Sequence, residues 1–163
     1  MKVRYGNRPD ELDFLEHLWG ALQEHHSEVL PILGTDTSPR SAGDSWTHRR
    51  AKYEYWLNDP DTFFAVAEDG GNAVGYAFVT IGPGYAGWKT GRLAELETLS
   101  ILPNHRGRGL GGHLMDAVWS KLEERGVKEM AITTALTNVD SHRFYERQGF
   151  RQSFVIYYAE RPG

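Results

Sequence analysis

The chain of 163 residues contains no cysteine. Disulfides, thiolate-bound zinc, iron–sulfur clusters and a thiol nucleophile are excluded at once. It also lacks any apolar run near the roughly 18 residues that span a bilayer. The opening residues Met1-Lys2-Val3-Arg4-Tyr5 turn polar before a signal-peptide core can form. A cytoplasmic location without a membrane partner is therefore expected. Basic charge is not in excess either, since 18 Lys and Arg stand against 22 Asp and Glu. Nucleic-acid-binding proteins ordinarily show the opposite balance or a strongly basic face, so no nucleic-acid partner is expected. Internal repeats, low-complexity tracts and dividing linkers are missing too, and the length suits one domain with a single core.

What the chain does have is a hydrophobic period that changes along its length. Val3–Tyr5 is a short strand candidate. Leu12, Leu15, Leu18, Trp19 and Leu22 then recur at helical spacing behind Asn7 or Asp10 as a cap. Pro31 to Asp44, rich in Gly, Pro, Ser and Thr, reads as a loop, and Ser45 to Leu57 as a second helix carrying Trp46, Tyr53 and Trp56. Thr62–Ala67 and Ala73–Ile81 flank the turn Glu68-Asp69-Gly70-Gly71-Asn72 and predict an antiparallel hairpin. A loop with exposed aromatics follows from Gly82 to Trp88, then a strand from Leu93 to Leu102. A helix from Leu110 to Arg125 aligns Leu110, Leu114, Val118 and Leu122 and ends at Gly126. Val127–Thr133 is a strand, Asp140 or Ser141 caps a short helix stopped by Gly149, and Ser153–Tyr158 is a last strand. This order predicts a mixed sheet with helices, in the α/β (α+β) class.

Between the strand ending at Leu102 and the helix starting at Leu110 lies Arg106-Gly107-Arg108-Gly109-Leu110-Gly111-Gly112. Glycines let a ligand approach the main chain closely. Loop amides and the first turn of the helix then converge on one spot, where the helix dipole favours an anion. Arg106 and Arg108 add positive charge, so the loop reads as a diphosphate cradle; the alternative is a Gly-rich turn that only connects strand to helix. Gly107-x-Gly109-x-x-Gly112 matches the dinucleotide fingerprint formally, but the next strand carries Ala131-Ile132-Thr133 where a ribose-binding acid is required. A Walker loop fails at Gly111-Gly112-His113, which lacks the lysine and hydroxyl.

Leu99-Ser100-Ile101-Leu102-Pro103 followed by Arg106-Gly107-Arg108-Gly109-Leu110-Gly111 resembles the signature of the GNAT N-acetyltransferase superfamily. Asn138 and Phe144-Tyr145-Glu146-Arg147-Gln148-Gly149-Phe150 resemble its downstream segment at the matching distance. The resemblance is strong over Leu93 to Phe150. It implies a GNAT-like acyl-CoA N-acyltransferase fold, with a mixed, mostly antiparallel sheet of about 6–7 strands and about four helices. Residues 1–163 would form one N-acetyltransferase domain, 93–163 its acetyl-CoA-binding core and 1–92 the half that shapes the acceptor site. By the same resemblance, main-chain groups of Leu99, Ser100 and Ile101 pair with pantetheine, and the main chain of Gly107 to Gly112 holds the pyrophosphate. Asn138 would contact the pantetheine arm, and Tyr145 would protonate the leaving thiolate.

The strand before the loop carries its own irregularity. Its apolar positions are Ala94 and Leu96, then Leu99 and Ile101, so the alternation slips by one. Such a slip predicts a β-bulge that bends the strand and frees backbone groups. Glu95 and Glu97 share a face just before it. An amine with a pKa near 10 is protonated at neutral pH and has no lone pair until a base removes a proton. Either glutamate suits that role, because paired carboxylates attract a cation and raise one another's pKa. Glu95, which matches the base position of histone-acetylating members of the superfamily, is slightly preferred; the alternative is two solvated glutamates. Tyr53, Trp56, Tyr85 and Trp88 are candidates for an aromatic wall around a cationic amine; for Tyr53 and Trp56, packing in the core is an equal alternative. The histidines lack ligand spacing, so no metal is expected. The expected activity is acetyl transfer from acetyl-CoA to a primary amine of a small molecule or peptide, by direct attack in a ternary complex. The alternatives are a non-catalytic acyl-CoA sensor or partner module and a transferase for a longer acyl chain. A homodimer through the last strand is compatible with the resemblance.

Overall fold

The strand Phe63–Asp69 opens with five consecutive buried residues, Phe63 to Ala67. Side chains alternate between faces along a strand, so this run demands cover on both sides. The computed structural model, which describes residues 1–30, 39–87 and 91–163, supplies that cover. Strands β1 (Lys2–Gly6), β2 (Phe63–Asp69), β3 (Asn72–Gly82), β4 (Leu93–Ile101) and β5 (Glu129–Ala131) lie in that order in one sheet. Pairing is antiparallel from β1 through β4, and β5 runs parallel to β4.

Helices α1 (Glu16–Val29) and α2 (Ala42–Trp56) cover one face. There Leu12, Leu15, Leu18, Trp46 and Tyr53 pack on Phe64, Val66, Tyr76 and Phe78. Tyr53 stacks on Phe78 with ring centroids 3.9 Å apart, an aromatic pair that adds to the area it buries. Helix α3 (Leu110–Glu124) covers the other face, where Met115, Val118 and Leu122 meet Phe63, Ala77, Val79, Ala94 and Leu96. Tyr145, from α4 (Val139–Arg147), completes that layer. Each fully buried side chain of Leu or Val size contributes about 1.5–3 kcal/mol, so the two layers carry most of the stability.

The structure corrects several expectations. The first helix begins with a 3-10 segment, Pro9–Leu15, before α1. Neither Asn7 nor Asp10 caps it; Glu11 Oε2 accepts from the amides of Asn7 and Arg8 instead. Helix α2 starts at Ala42, inside the stretch read as a loop, because Ser41 Oγ accepts from the Asp44 amide at 3.1 Å. Residues 31–38 of that loop, and Trp88, lie outside the described residues. Asn138 rather than Asp140 or Ser141 caps α4.

The largest correction concerns strand number. Among the described residues the sheet has five strands, and Ser153–Tyr158 forms none. Phe154, Val155, Ile156, Tyr157 and Tyr158 are all exposed. A run of β-formers becomes a strand only where a neighbouring edge takes up its N–H and C=O groups. Here the run meets the rest of the chain through a ring contact between Phe154 and Tyr85. Among the described residues no helix is long and apolar enough to cross a membrane.

Candidate active site

Local sequence builds the glycine loop. After Pro103–His105 forms a short 3-10 turn, Gly107 and Gly109 take φ of 72° and 78°, a left-handed conformation that favours glycine. Gly109 is thereby the N-cap of α3, whose first internal hydrogen bond runs from the His113 amide to the Gly109 carbonyl. Among the described residues no group of the chain accepts a hydrogen bond from the amides of Gly107, Arg108, Gly109, Leu110, Gly111 or Gly112. Open N–H groups at a helix start, with positive dipole behind them, form an anion site. Arg106 does not reach into it freely, since its Nε donates to the Ile101 carbonyl at 3.0 Å and ties the loop to the end of β4. Gly111 has a different reason to be glycine: a Cβ there would stand 2.8 Å from the Phe144 ring, so it lets α3 approach α4.

The loop lies beside a split in the sheet. Strand β5 pairs with β4 only at Leu93, Ala94 and Glu95. From Leu96 to Ile101 the β5 side of β4 has no strand partner among the described residues. Leu99, Ser100 and Ile101 therefore offer an open edge, where an extended ligand can pair as an added strand. The Ser100 side chain turns away from that edge and donates to the Leu18 carbonyl of α1 at 3.0 Å.

The predicted bulge is present. Phe78 pairs with Thr98 and Val79 with Leu96, which leaves Glu97 without a partner on β3. Glu97 is half-buried, and Thr80 Oγ1 donates to its Oε1 at 2.7 Å. Burial is the main cause that raises its pKa, the charge of Glu95 adds to it, and the Thr80 hydrogen bond with the cations Arg49 and Lys52 opposes it. Glu95 lies exposed on the same side, opposite Thr80. Two cavities flank this point. One of about 250 Å³ is lined by Thr80, Ile81, Tyr85 and Glu95 among others, and one of about 600 Å³ by Tyr55, Trp56, Asp59, Thr80 and Ile81 among others.

Tyr145 sits on α4 in edge contact with the rings of Phe144 and Phe150, and is almost wholly buried. Burial pushes its pKa far above the usual tyrosine value, and no described group hydrogen-bonds its hydroxyl. It is a neutral phenol with an uncommitted proton. Asn138 is buried and its Oδ1 caps the Ser141 amide, so only its NH2 end is free of that task. Asp140, Ser141 and His142 assemble no triad, since His142 Nε2 faces the Ala135 carbonyl at 2.9 Å. Among the described residues no group of three or more His, Asp or Glu is placed to hold a metal ion.

Of the predicted aromatic wall, Trp56 and Tyr85 line the cavities, whereas Tyr53 is fully buried core. Three residues went unpredicted: Thr80, Lys52 and Arg49, which touch or face Glu97 across long sequence separations. Arg49 did leave a trace, standing in the aromatic stripe Trp46, Tyr53 and Trp56 of one helix.

The model of the acetyltransferase (GNAT) family matches residues 19–150. The chain belongs to that family. An aminoglycoside N(6')-acetyltransferase type 1 from Klebsiella aerogenes is 30% identical over 147 residues, covering 89% of this chain and 84% of that protein. An aminoalkylphosphonate N-acetyltransferase from Salmonella typhimurium is 31% identical over 101 residues, 60% of this chain and 62% of that protein, so the match spans less than two thirds of that relative. Among solved structures, AAC(6')-Iy in complex with the bisubstrate analogue CoA-S-monomethyl-acetylneamine aligns with a TM-score of 0.69 at 25% identity, over 99% of this chain and 98% of that one.

Proposed function

We propose that the chain transfers an acetyl group from acetyl-CoA to a primary amine of a small cationic molecule, by direct attack within a ternary complex. The observation that carries this reading is the half-buried Glu97 at the bulge, beside the strand edge left open by the split. The names of relatives that act on aminoglycosides and aminoalkylphosphonates support a small amine as acceptor. The open amides of Gly107 to Gly112 fit a diphosphate, and the free edge of Leu99 to Ile101 fits an amide-bearing pantetheine arm. When bound, acetyl-CoA supplies the acyl carbon: the C–N bond to the amine forms there and the C–S bond breaks.

The chain's residues handle the protons. Glu97, held uncharged to a higher pH than an ordinary glutamate, takes a proton from the incoming ammonium, directly or through one water. This departs from the preference for Glu95. An exposed Glu95 suits attraction of the cation, and its negative charge helps hold Glu97 ready to accept a proton. The sulfur leaves as a thiolate, and the second proton that the attacking nitrogen sheds as the amide forms passes to solvent water, from which the thiolate is neutralised. Tyr145 donates a hydrogen bond to that sulfur. With its pKa pushed so far above the usual tyrosine value, complete proton transfer from it to the thiolate of an ordinary thiol runs uphill, so stabilising the thiolate is the role it fits. Asn138 offers its NH2 group to the pantetheine arm.

A screen of amines that follows release of coenzyme A thiol tests the reading. Aminoglycosides, aminoalkylphosphonates, polyamines and peptide amines form the panel. Turnover with a small amine that Glu97→Gln abolishes is the expected result. No acetyl-CoA binding by calorimetry, or equal turnover by the Gln variant, overturns it. The exposed run Phe154–Tyr158 suits self-association with a second copy; a Phe154→Ser/Ile156→Ser chain that sediments like the parent would remove that part of the reading.

A further inference from the structure

A β-bulge frees a carbonyl as well as a side chain, and in this chain a cation from another layer takes it up. Arg49, near the middle of α2, sends Nη2 to the Glu97 carbonyl at 2.9 Å and to Thr98 Oγ1 at 2.9 Å. Its guanidinium lies over the rings of Trp19, Tyr53 and Trp56, 4.7, 5.1 and 5.6 Å from their centroids. Among the described residues no carboxylate stands within ion-pair distance of it. The cation is thus held by π faces and main chain, and its charge is left uncancelled beside the bulge. Thr98 is itself fixed from below, with Oγ1 2.5 Å from Tyr53 Oη, which also meets Tyr76 Oη at 3.0 Å. The result is a buttress that runs from the core through Thr98 and Arg49 to the one residue β3 leaves unpaired.

We propose that Arg49 is a positioning residue for acetyl transfer, which pins the β4 main chain at the bulge and so fixes where the Glu97 carboxylate stands. The proposal rests on the reading of Glu97 as the base. It also explains why arginine occupies this place. A planar guanidinium fits between rings and aims fixed donors at two acceptors, whereas an ammonium has no plane to stack. The charged and titratable groups that bear on Glu97 are Arg49 and Lys52 from α2 and Glu95 from its own strand, with Thr80 bonding it from β3. Arg49 and Lys52 favour the carboxylate, while burial and Glu95 oppose it.

The test uses the whole chain labelled with carboxyl-13C glutamate, with the Glu97 resonance assigned by its loss in Glu97→Gln. Carboxyl titration is read beside amide hydrogen exchange at Glu97, Thr98 and Leu99. In Arg49→Met the Glu97 midpoint is expected to move up in pH. Exchange at those three amides is expected to quicken at least about tenfold, the change that loss of one charge-assisted hydrogen bond brings. Acetyl-CoA affinity by calorimetry is expected to stay unchanged. Arg49→Lys is expected to keep the midpoint, since the charge remains, yet still to quicken exchange, since the fork is lost; this variant also serves if Arg49→Met does not fold. A folded Arg49→Met or Arg49→Lys chain whose bulge amides exchange at the parent rate overturns the proposal. Failure of the base reading looks different: Glu97→Gln would turn over amines normally while the Arg49 variants still loosened the bulge.

Discussion

On the donor side of the cleft, as we propose it, the working groups are main-chain amides, those of residues 107–112, set by two left-handed glycines and a helix start. On the acceptor side they are side chains gathered from three elements, Arg49 of α2, Thr80 of β3, and Glu95 and Glu97 of β4. In this proposal the donor wall recognises a part that every CoA thioester carries, for which backbone suffices, and the acceptor wall changes the charge state of one particular amine, which takes a carboxylate with an adjusted pKa. Backbone geometry should therefore control donor affinity, and side-chain chemistry should control turnover.

The largest expected effect separates the two walls outright. Glu97→Gln keeps the shape and the Thr80 hydrogen bond but cannot take a proton. Its kcat/KM for the amine should fall by about 10²–10⁴, the usual worth of a general base, with acetyl-CoA affinity intact by calorimetry. Equal loss of donor affinity would mean that the walls are not independent. Next comes the backbone of the donor wall. A side chain at Gly109 has open space around it but must adopt φ near 78°. That conformation costs a branched residue roughly 1–3 kcal/mol, so Gly109→Val should weaken acetyl-CoA about 5- to 150-fold. Gly109→Asn should bind nearly as the parent does, because asparagine tolerates the left-handed region. If Asn and Val weaken binding alike, the site depends on something other than backbone conformation.

Tyr145→Phe tests the group that stands between the walls. Removing one hydrogen bond to a developing charge lowers kcat about tenfold or somewhat more, with both KM values kept. Thermal stability should not fall, because no described group bonds that hydroxyl. A smaller effect sharpens the acceptor side through pH. Glu97 has a raised pKa in the fold, so kcat/KM should rise with pH along an acid limb above the ordinary glutamate range. Glu95→Gln removes a charge that helps raise it, and the limb should move down in pH. The same shift has a stability consequence. A carboxyl with a raised folded pKa contributes stability fully below its unfolded pKa, and that contribution is lost as pH rises through the folded value. At neutral pH Glu97→Gln should therefore melt no lower than the parent, and a clearly lower Tm would contradict the raised pKa.

How far the sequence could be read depended on how local each feature is. The hairpin turn at Gly70-Gly71, the stop at Gly126 and the glycine loop are all set by backbone preferences within a few residues, and each stands where expected. The bulge was legible because the slip between Leu96 and Leu99 is itself a register statement. The C-terminal run Phe154–Tyr158 misled, since it has strand composition but pairs with no strand among the described residues. Tyr53 stayed open between two readings, because an aromatic on a helix reads the same whether it walls a cleft or stacks on Phe78.

By itself the sequence determined the backbone of the glycine loop and pointed to the family, because left-handed glycines before a helix are a local preference and the motif around them is contiguous. Only the tertiary structure decided which of two neighbouring glutamates is half-buried. It also decided that an arginine 48 residues upstream grips the carbonyl freed by the bulge. Desolvation and charge–charge distances depend on what packs from other elements, and no spacing along one strand encodes them.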